Sequence, residues 1–228
     1  MPEANPIEDS TIPVPRTREY EWMSVATWWQ RQRAEVAVAT RGGIDLLFLG
    51  DSLTEAWSET GRETWDKLFA GLNAANLGIG GDTTQNVIWR VAHGGLAPLR
   101  PKLVVLLIGV NNLGNHGDAP AAVIRGISAV LAQLRRSWPA TKILLLGIFP
   151  SGAAPADPFR TKIATVNQGL PAMADGAGVV YEDIGAVFLE ADGSISPEVM
   201  PDFLHLSPEG YRRWGDAIMP TVRRLLQP

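Results

Sequence analysis

The sequence predicts an α/β domain built on one parallel sheet of about five strands with helices on both faces. Two observations predict it. Five short runs, 44–49, 74–79, 103–108, 143–148 and 179–184, are almost continuously apolar and rich in β-branched residues, the pattern of strands buried on both faces. Between them lie segments whose apolar residues recur at helical spacing, so strand and helix alternate. That alternation implies right-handed crossovers between parallel strands.

Residues 1–18 contain Pro2, Pro6, Pro13 and Pro15, too many for a helix or a central strand. An extended arm lying on or off the domain is expected there, with residues 19–228 as a single domain. From about Glu19, the positions of Trp22, Val25, Ala26, Trp28, Trp29, Ala34, Val36 and Ala37 predict an amphipathic helix ending near Arg41-Gly42-Gly43. Helical spacing returns over 65–70, 87–92, 119–134, 159–174 and 208–226, the last opened by Ser207 as N-cap and Pro208 as first helical residue. No internal repeat is found.

With 228 residues, 46% hydrophobic and 19% charged, the chain is long enough for a sizeable core. Twenty Lys and Arg against 24 Asp and Glu give a formal charge of −4 with no basic block, which argues against a nucleic-acid partner. Without cysteine there is no disulfide, zinc-thiolate or cysteine-nucleophile chemistry. No apolar run reaches the roughly 18 residues of a membrane span. The N-terminus has neither the basic flank nor the apolar stretch of a signal peptide, which favours a cytoplasmic location, although a leader already removed leaves no trace.

Ligands of open α/β folds bind at the carboxyl ends of the strands, so chemistry is expected in the loops there. The first holds Gly50-Asp51-Ser52-Leu53-Thr54-Glu55, where Ser52 is either a nucleophile or, by its S-x-x-E spacing, a helix cap. The second holds Gly78-Ile79-Gly80-Gly81-Asp82-Thr83; it lacks the third glycine of a dinucleotide motif. With Asp82 as an N-cap, the N–H of Gly81 could face the cleft, and a tight structural turn is the alternative. The third holds Asn111, Asn112 and Asn115, which suit either Asx turns or a rigid amide donor to an oxyanion. The fourth, Phe149-Pro150-Ser151-Gly152, carries no comparable cluster. Ahead of the last helix, Asp202 precedes His205 by three residues, so it could accept the Nδ1 proton and leave Nε2 as a base. His93 and His116 read as surface residues.

Taken together and in order, these blocks resemble the SGNH, or GDSL-type, hydrolase superfamily. Ser52, Gly81, Asn111 and His205 stand at its marker positions, with Asp202 in the D-x-x-H form. Within it, the chain is similar to platelet-activating-factor acetylhydrolase catalytic subunits and their bacterial acylhydrolase relatives over residues 27–218. The resemblance implies a flavodoxin-like three-layer α/β/α sandwich (the SGNH hydrolase fold) and ester hydrolysis without a metal or organic cofactor. The Ser52, His205 and Asp202 triad would act with an oxyanion hole of the Ser52 and Gly81 N–H groups and the Asn111 amide. It also implies a homodimer. Val110 stands where the family's third block usually has threonine. The first block is not the Gly-x-Ser-x-Gly elbow of α/β-hydrolases, since its fifth position is Thr54.

Leu53, Val110 and Leu204 each adjoin a marker residue. If they crowd the serine, acetyl to butyryl esters are preferred; the alternative is that all three face the core. Other function classes are a carbohydrate O-acetylesterase, a non-catalytic flavodoxin-like binding module and a nucleotide-binding protein, the last disfavoured because no phosphate cradle or Walker lysine is present. An aromatic sugar platform is permitted by eight tryptophans, yet Trp22, Trp28, Trp29, Trp65, Trp89, Trp138 and Trp214 lie in expected helices, where core packing is the default.

Overall fold

The computed structural model describes residues 9–227. The portion of the proline-rich arm over residues 1–8 lies outside the described residues. In chain order the helices and strands are α1 (Val25–Arg41), β1 (Leu46–Gly50), α2 (Ser52–Glu55), α3 (Arg62–Leu68), β2 (Ala74–Gly78), α4 (Thr84–Ala92), β3 (Leu103–Leu107), α5 (Pro120–Ser137), β4 (Lys142–Leu146), α6 (Pro158–Gly169), β5 (Val179–Glu182) and α7 (Pro208–Leu226). The five strands form one parallel sheet in the order β2-β1-β3-β4-β5. The order reverses between β1 and β3, which places a crevice at the carboxyl end of β1.

Strand alternation distributes side chains between two cores. Leu47, Leu49, Leu77, Val104, Leu106, Ile143 and Leu145 face one side and pack with apolar residues of α4, α5 and α6. Leu46, Phe48, Leu103, Val105, Leu144 and Leu146 face the other, against α7 and the segment from Leu53 to Phe69. Two buried layers around one sheet explain the uninterrupted apolar runs, because period-2 sorting leaves no exposed face to be polar. The ladders nevertheless stop short of several expected ends. Ile79, Ile108 and Ile148 are buried beyond the last paired residues, since the loops above the sheet are also covered.

Helix ends follow local chemistry. Ser24 caps α1 by accepting from Thr27 N, so the helix starts after Trp22 rather than before it. Helix α6 ends at Gly169, five residues before the apolar spacing does, because Pro171 has no N–H to continue it. Helix α7 begins as expected, with Ser207 Oγ accepting from Gly210 N at 3.2 Å and Pro208 in the first turn. Among the described residues, no helix is long and apolar enough to cross a membrane.

From Asp9 onward the arm lies against the domain. Ser10 Oγ donates to Asp118 Oδ2 at 2.8 Å, Val14 N to Gln85 O at 3.3 Å, and Arg16 Nη2 to Gly80 O at 2.9 Å. These bonds attach the arm to the loops above β2 and β3.

Trp214 of α7 is fully buried, with its ring 4.9 Å from those of both Trp57 and Phe149. Trp214→Ala is expected to lower the free energy of unfolding by about 3–5 kcal/mol, the usual cost of emptying a buried aromatic site. Urea denaturation checks this; a loss under about 1 kcal/mol would mean the aromatic cluster collapses freely into the space.

Candidate active site

Ser52 is the first residue of α2, and the helix cap is its neighbour. Asp51 Oδ1 accepts from Leu53 N at 3.1 Å, which corrects the expectation that Ser52 itself could cap. As a first-turn residue, Ser52 has a backbone N–H with no acceptor inside the helix. Glu55 does not reach back to complete a capping box. Its Oε2 accepts from Gly80 N at 2.8 Å and Arg31 Nη1 at 2.7 Å, joining the first loop to the second. Gly78 makes that junction sterically feasible, because a Cβ there would collide with the backbone of α2.

In the second loop the expected N-cap, Asp82, has a different task. Thr83 caps α4, in a reciprocal box with Asn86. Asp82 is buried and accepts from Trp28 Nε1 at 2.6 Å and Arg90 Nη1 at 2.8 Å, with Arg16 Nη2 at 3.7 Å. Gly81 adopts φ of +73°, a left-handed conformation, and a Cβ on it would strike the Trp22 ring and the Arg16 guanidinium. The flanking N–H groups of Gly80 and Asp82 go to Glu55 and to Ile79 O, respectively. Among the described residues no acceptor meets the N–H of Gly81.

Asn111 Nδ2 donates to Asp82 O at 3.0 Å and its Oδ1 accepts from Asn115 Nδ2 at 2.9 Å. One hydrogen on Nδ2 remains for another acceptor. Asn112 turns inward, where Nδ2 lies 2.9 Å from Asp118 Oδ2 and Oδ1 accepts from Thr84 N. The segment Asn112–His116 is a π-turn, a rare geometry enriched near functional sites. Of the other two histidines, His93 ends α4 and His116 closes this turn.

His205 comes to Ser52 across 153 residues of sequence: its Nε2 lies 3.1 Å from Ser52 Oγ. Its Nδ1 lies 2.7 Å from Asp202 Oδ2, while Asp202 Oδ1 accepts from the backbone N–H of His205 and of Leu204. Partial burial works against the Asp202 charge, but these bonds outweigh it and hold the carboxyl below the ordinary aspartate value. Phe203 makes the reversal by adopting φ of +59°, and its carbonyl accepts from Ser151 Oγ and Gly152 N. A non-glycine residue in that region stores strain that its surroundings must hold. Tyr211 Oη donates to Leu53 O at 2.7 Å and ties α7 to α2, one residue past the serine. The His205 and Asp202 side chains remain 47% and 57% exposed, so the site is a shallow, open one.

The three residues expected near the acyl group are divided between the two faces of the sheet, with Leu53 on one and Val110 and Leu204 on the other. Leu53 is buried in one core and Val110 in the core on the opposite face of the sheet; Leu204 is half-buried. A side chain one position from a candidate site residue need not point the same way. Trp28, Trp29 and Trp89 do pack together, with ring separations of 5.1 to 5.9 Å, but Trp22 is exposed outside the helix.

Residues 48–213 match the model of the GDSL-like lipase/acylhydrolase family, and the chain belongs to that family. It is an ester-hydrolysing enzyme of SGNH type, related to platelet-activating-factor acetylhydrolases. The rat platelet-activating factor acetylhydrolase IB subunit alpha2 is 38% identical over 187 residues, covering 80% of this chain and 78% of that one. The human alpha1 subunit is 38% identical over 183 residues, with 80% and 77% covered. The fold is shared with a GDSL-like lipase from Bacteroides thetaiotaomicron (TM-score 0.68, 19% identity, 86% of this chain and 97% of that one). It is also shared with an acetylxylan esterase from Geobacillus stearothermophilus (TM-score 0.63, 18% identity, 82% and 95%).

Asp51, beside the serine, is fully buried with Oδ2 lacking a hydrogen-bond partner among the described residues, and desolvation pushes its carboxyl up to about 7. The folded state therefore keeps a proton that the unfolded chain loses near 3.8. Stability should fall as pH rises from about 4 to about 7 and level off above that. Asp51→Asn, which keeps the cap and cannot ionise, should flatten this limb. Melting temperatures of both proteins between pH 5 and pH 8 check it; parallel curves would exclude Asp51 as the titrating group.

Proposed function

We propose that the protein is a serine esterase that cleaves short-chain acyl esters, acetyl to butyryl, by a Ser52, His205 and Asp202 triad. The observation that carries this reading is the continuous chain from Ser52 Oγ to His205 Nε2 at 3.1 Å and from His205 Nδ1 to Asp202 Oδ2 at 2.7 Å. With Nδ1–H donated to an ionised Asp202, Nε2 presents its lone pair to the serine hydroxyl. Ser52 Oγ attacks the ester carbonyl as His205 takes its proton, and Asp202 stabilises the imidazolium. His205 then protonates the leaving alcohol, and a water molecule repeats the cycle to release the acid and free the serine.

The oxyanion formed in each half-reaction would receive the N–H groups of Ser52 and Gly81 and the remaining Nδ2 hydrogen of Asn111. Both backbone donors are held by features independent of substrate: a helix start and a left-handed glycine. Each such donor lowers the barrier by roughly 2.7–4 kcal/mol. Preference for a short acyl group is supported by the acetyl-ester names of the relatives and of one structural neighbour, not by Leu53 or Val110.

Ser52→Ala is expected to lose at least about a thousandfold in kcat on an activated acetyl ester while keeping its melting temperature. Near-wild-type turnover would remove Ser52 as nucleophile. Asn111→Ala should lower kcat by roughly a hundredfold or more with little change in KM, because its target exists in the transition state. A change in KM alone would make it a substrate-binding group. Across a p-nitrophenyl ester series, kcat/KM should peak at two to four carbons, roughly; a maximum at about eight or more would refute the short-acyl reading.

A further inference from the structure

The proline-rich arm, for which the sequence offered no role, leads into an aromatic pair beside the proposed oxyanion hole. Tyr20 and Trp22 stack with centroids 4.8 Å apart and planes at 13°. They are fixed by reciprocal backbone hydrogen bonds of 3.1 Å between Tyr20 and Met23, and Met23 is buried against Trp28 and Ile79. Arg16 anchors the pair to the second loop through Gly80 O at 2.9 Å, and Arg18 to the third through Asn115 O at 2.9 Å. Asn115 in turn holds Asn111. Trp22 contacts Gly81 so closely that only glycine fits there, yet the tryptophan is 56% exposed. With one ring face covered by Tyr20, that exposure belongs to the other face and the edges.

Among the described residues only Ile12 and Trp22 are large hydrophobic side chains left exposed, so the position of Trp22 at the site is a specific feature. The pair's surroundings select its ligand. The guanidinium of Arg16 lies 5.2 Å from the Tyr20 centroid and 6.0 Å from that of Trp22, and the guanidinium of Arg18 lies 5.4 Å from Tyr20. Two guanidinium charges therefore stand beside the pair, and a cationic alcohol would meet like charge. Arg18, which is exposed and lies against Tyr20, has further N–H donors beside the pair. A flat apolar face rimmed by donors complements a pyranose, which is apolar on its C–H face and ringed by hydroxyls.

We propose that Tyr20 and Trp22 form the leaving-group subsite, binding the sugar ring of an O-acylated carbohydrate while its ester reaches Ser52. The proposal deepens the esterase reading and rests on it. It is tested with wild-type, Trp22→Ala and Trp22→Phe proteins on two acetyl esters, an acetylated methyl xyloside and ethyl acetate, whose alcohol is too small to reach the rings. The ratio of kcat/KM for the xyloside to that for ethyl acetate should fall about five- to tenfold in Trp22→Ala and be largely kept in Trp22→Phe. An unchanged ratio in Trp22→Ala, with both esters still cleaved, defeats the subsite alone. Failure of the wild-type protein to cleave either ester defeats the esterase reading instead. A second comparison isolates charge: 3,3-dimethylbutyl acetate should be preferred over its cationic isostere acetylcholine, and the reverse preference would overturn the assignment to a neutral sugar.

Discussion

The buried ion pair between Asp82 and Arg90 is the constraint on which the site depends. Both side chains are fully buried, and their partners come from separate parts of the chain. Trp28, Gln32 and Glu35 reach them from α1, Leu77 O from the sheet and Arg16 from the arm. Removing one member of such a pair strands a charge, at a cost of about 3–5 kcal/mol, so the elements that satisfy it are locked together. Asp82 follows Gly81 directly, and its carbonyl accepts from Asn111. The network therefore sets the direction of one proposed oxyanion donor through the chain and of a second through a hydrogen bond.

The opposite side of the cleft is organised by packing. Helix α7 lies in the aromatic core and positions the loop that carries His205; Tyr211 links it to α2. Ser52 thus stands between an ionic half, which holds the proposed oxyanion donors, and an apolar half, which holds the proposed base. The division has a catalytic logic. Donors must be fixed to within tenths of an ångström to recognise developing charge, and a buried, multiply bonded carboxylate supplies that rigidity. Because the proposed triad is open to water, substrate binding itself must exclude solvent, which gives the arm and the exposed Trp22 a place in the design.

Much of the fold was legible because strand burial is written into local composition. The runs at 44–49 and 103–108 read as strands buried on both faces, and helical segments flank them. Helix ends were less legible: Trp22 shares the apolar spacing of α1, but Ser24 starts the helix and leaves that ring outside. Asp82 and Thr83 are both plausible caps by residue type, and what decided between them was Arg90, two turns away in space. Leu53 and Val110 adjoin site residues in sequence, and the turns that follow β1 and β3 send them to opposite cores.

By itself the sequence determined the α/β class and the chemical types placed above the strands, since hydrophobic periodicity and strand-end position are local properties. It also supplied Ser52, Gly81, Asn111, Asp202 and His205 as an ordered set. Only the tertiary structure decided that Ser52 and His205 meet, that Asp51 takes the capping role from Ser52, and that the arm returns to stand Trp22 against Gly81. Those outcomes depend on contacts between residues tens to more than a hundred positions apart. Such contacts are set by how the layers pack, and no local pattern encodes them.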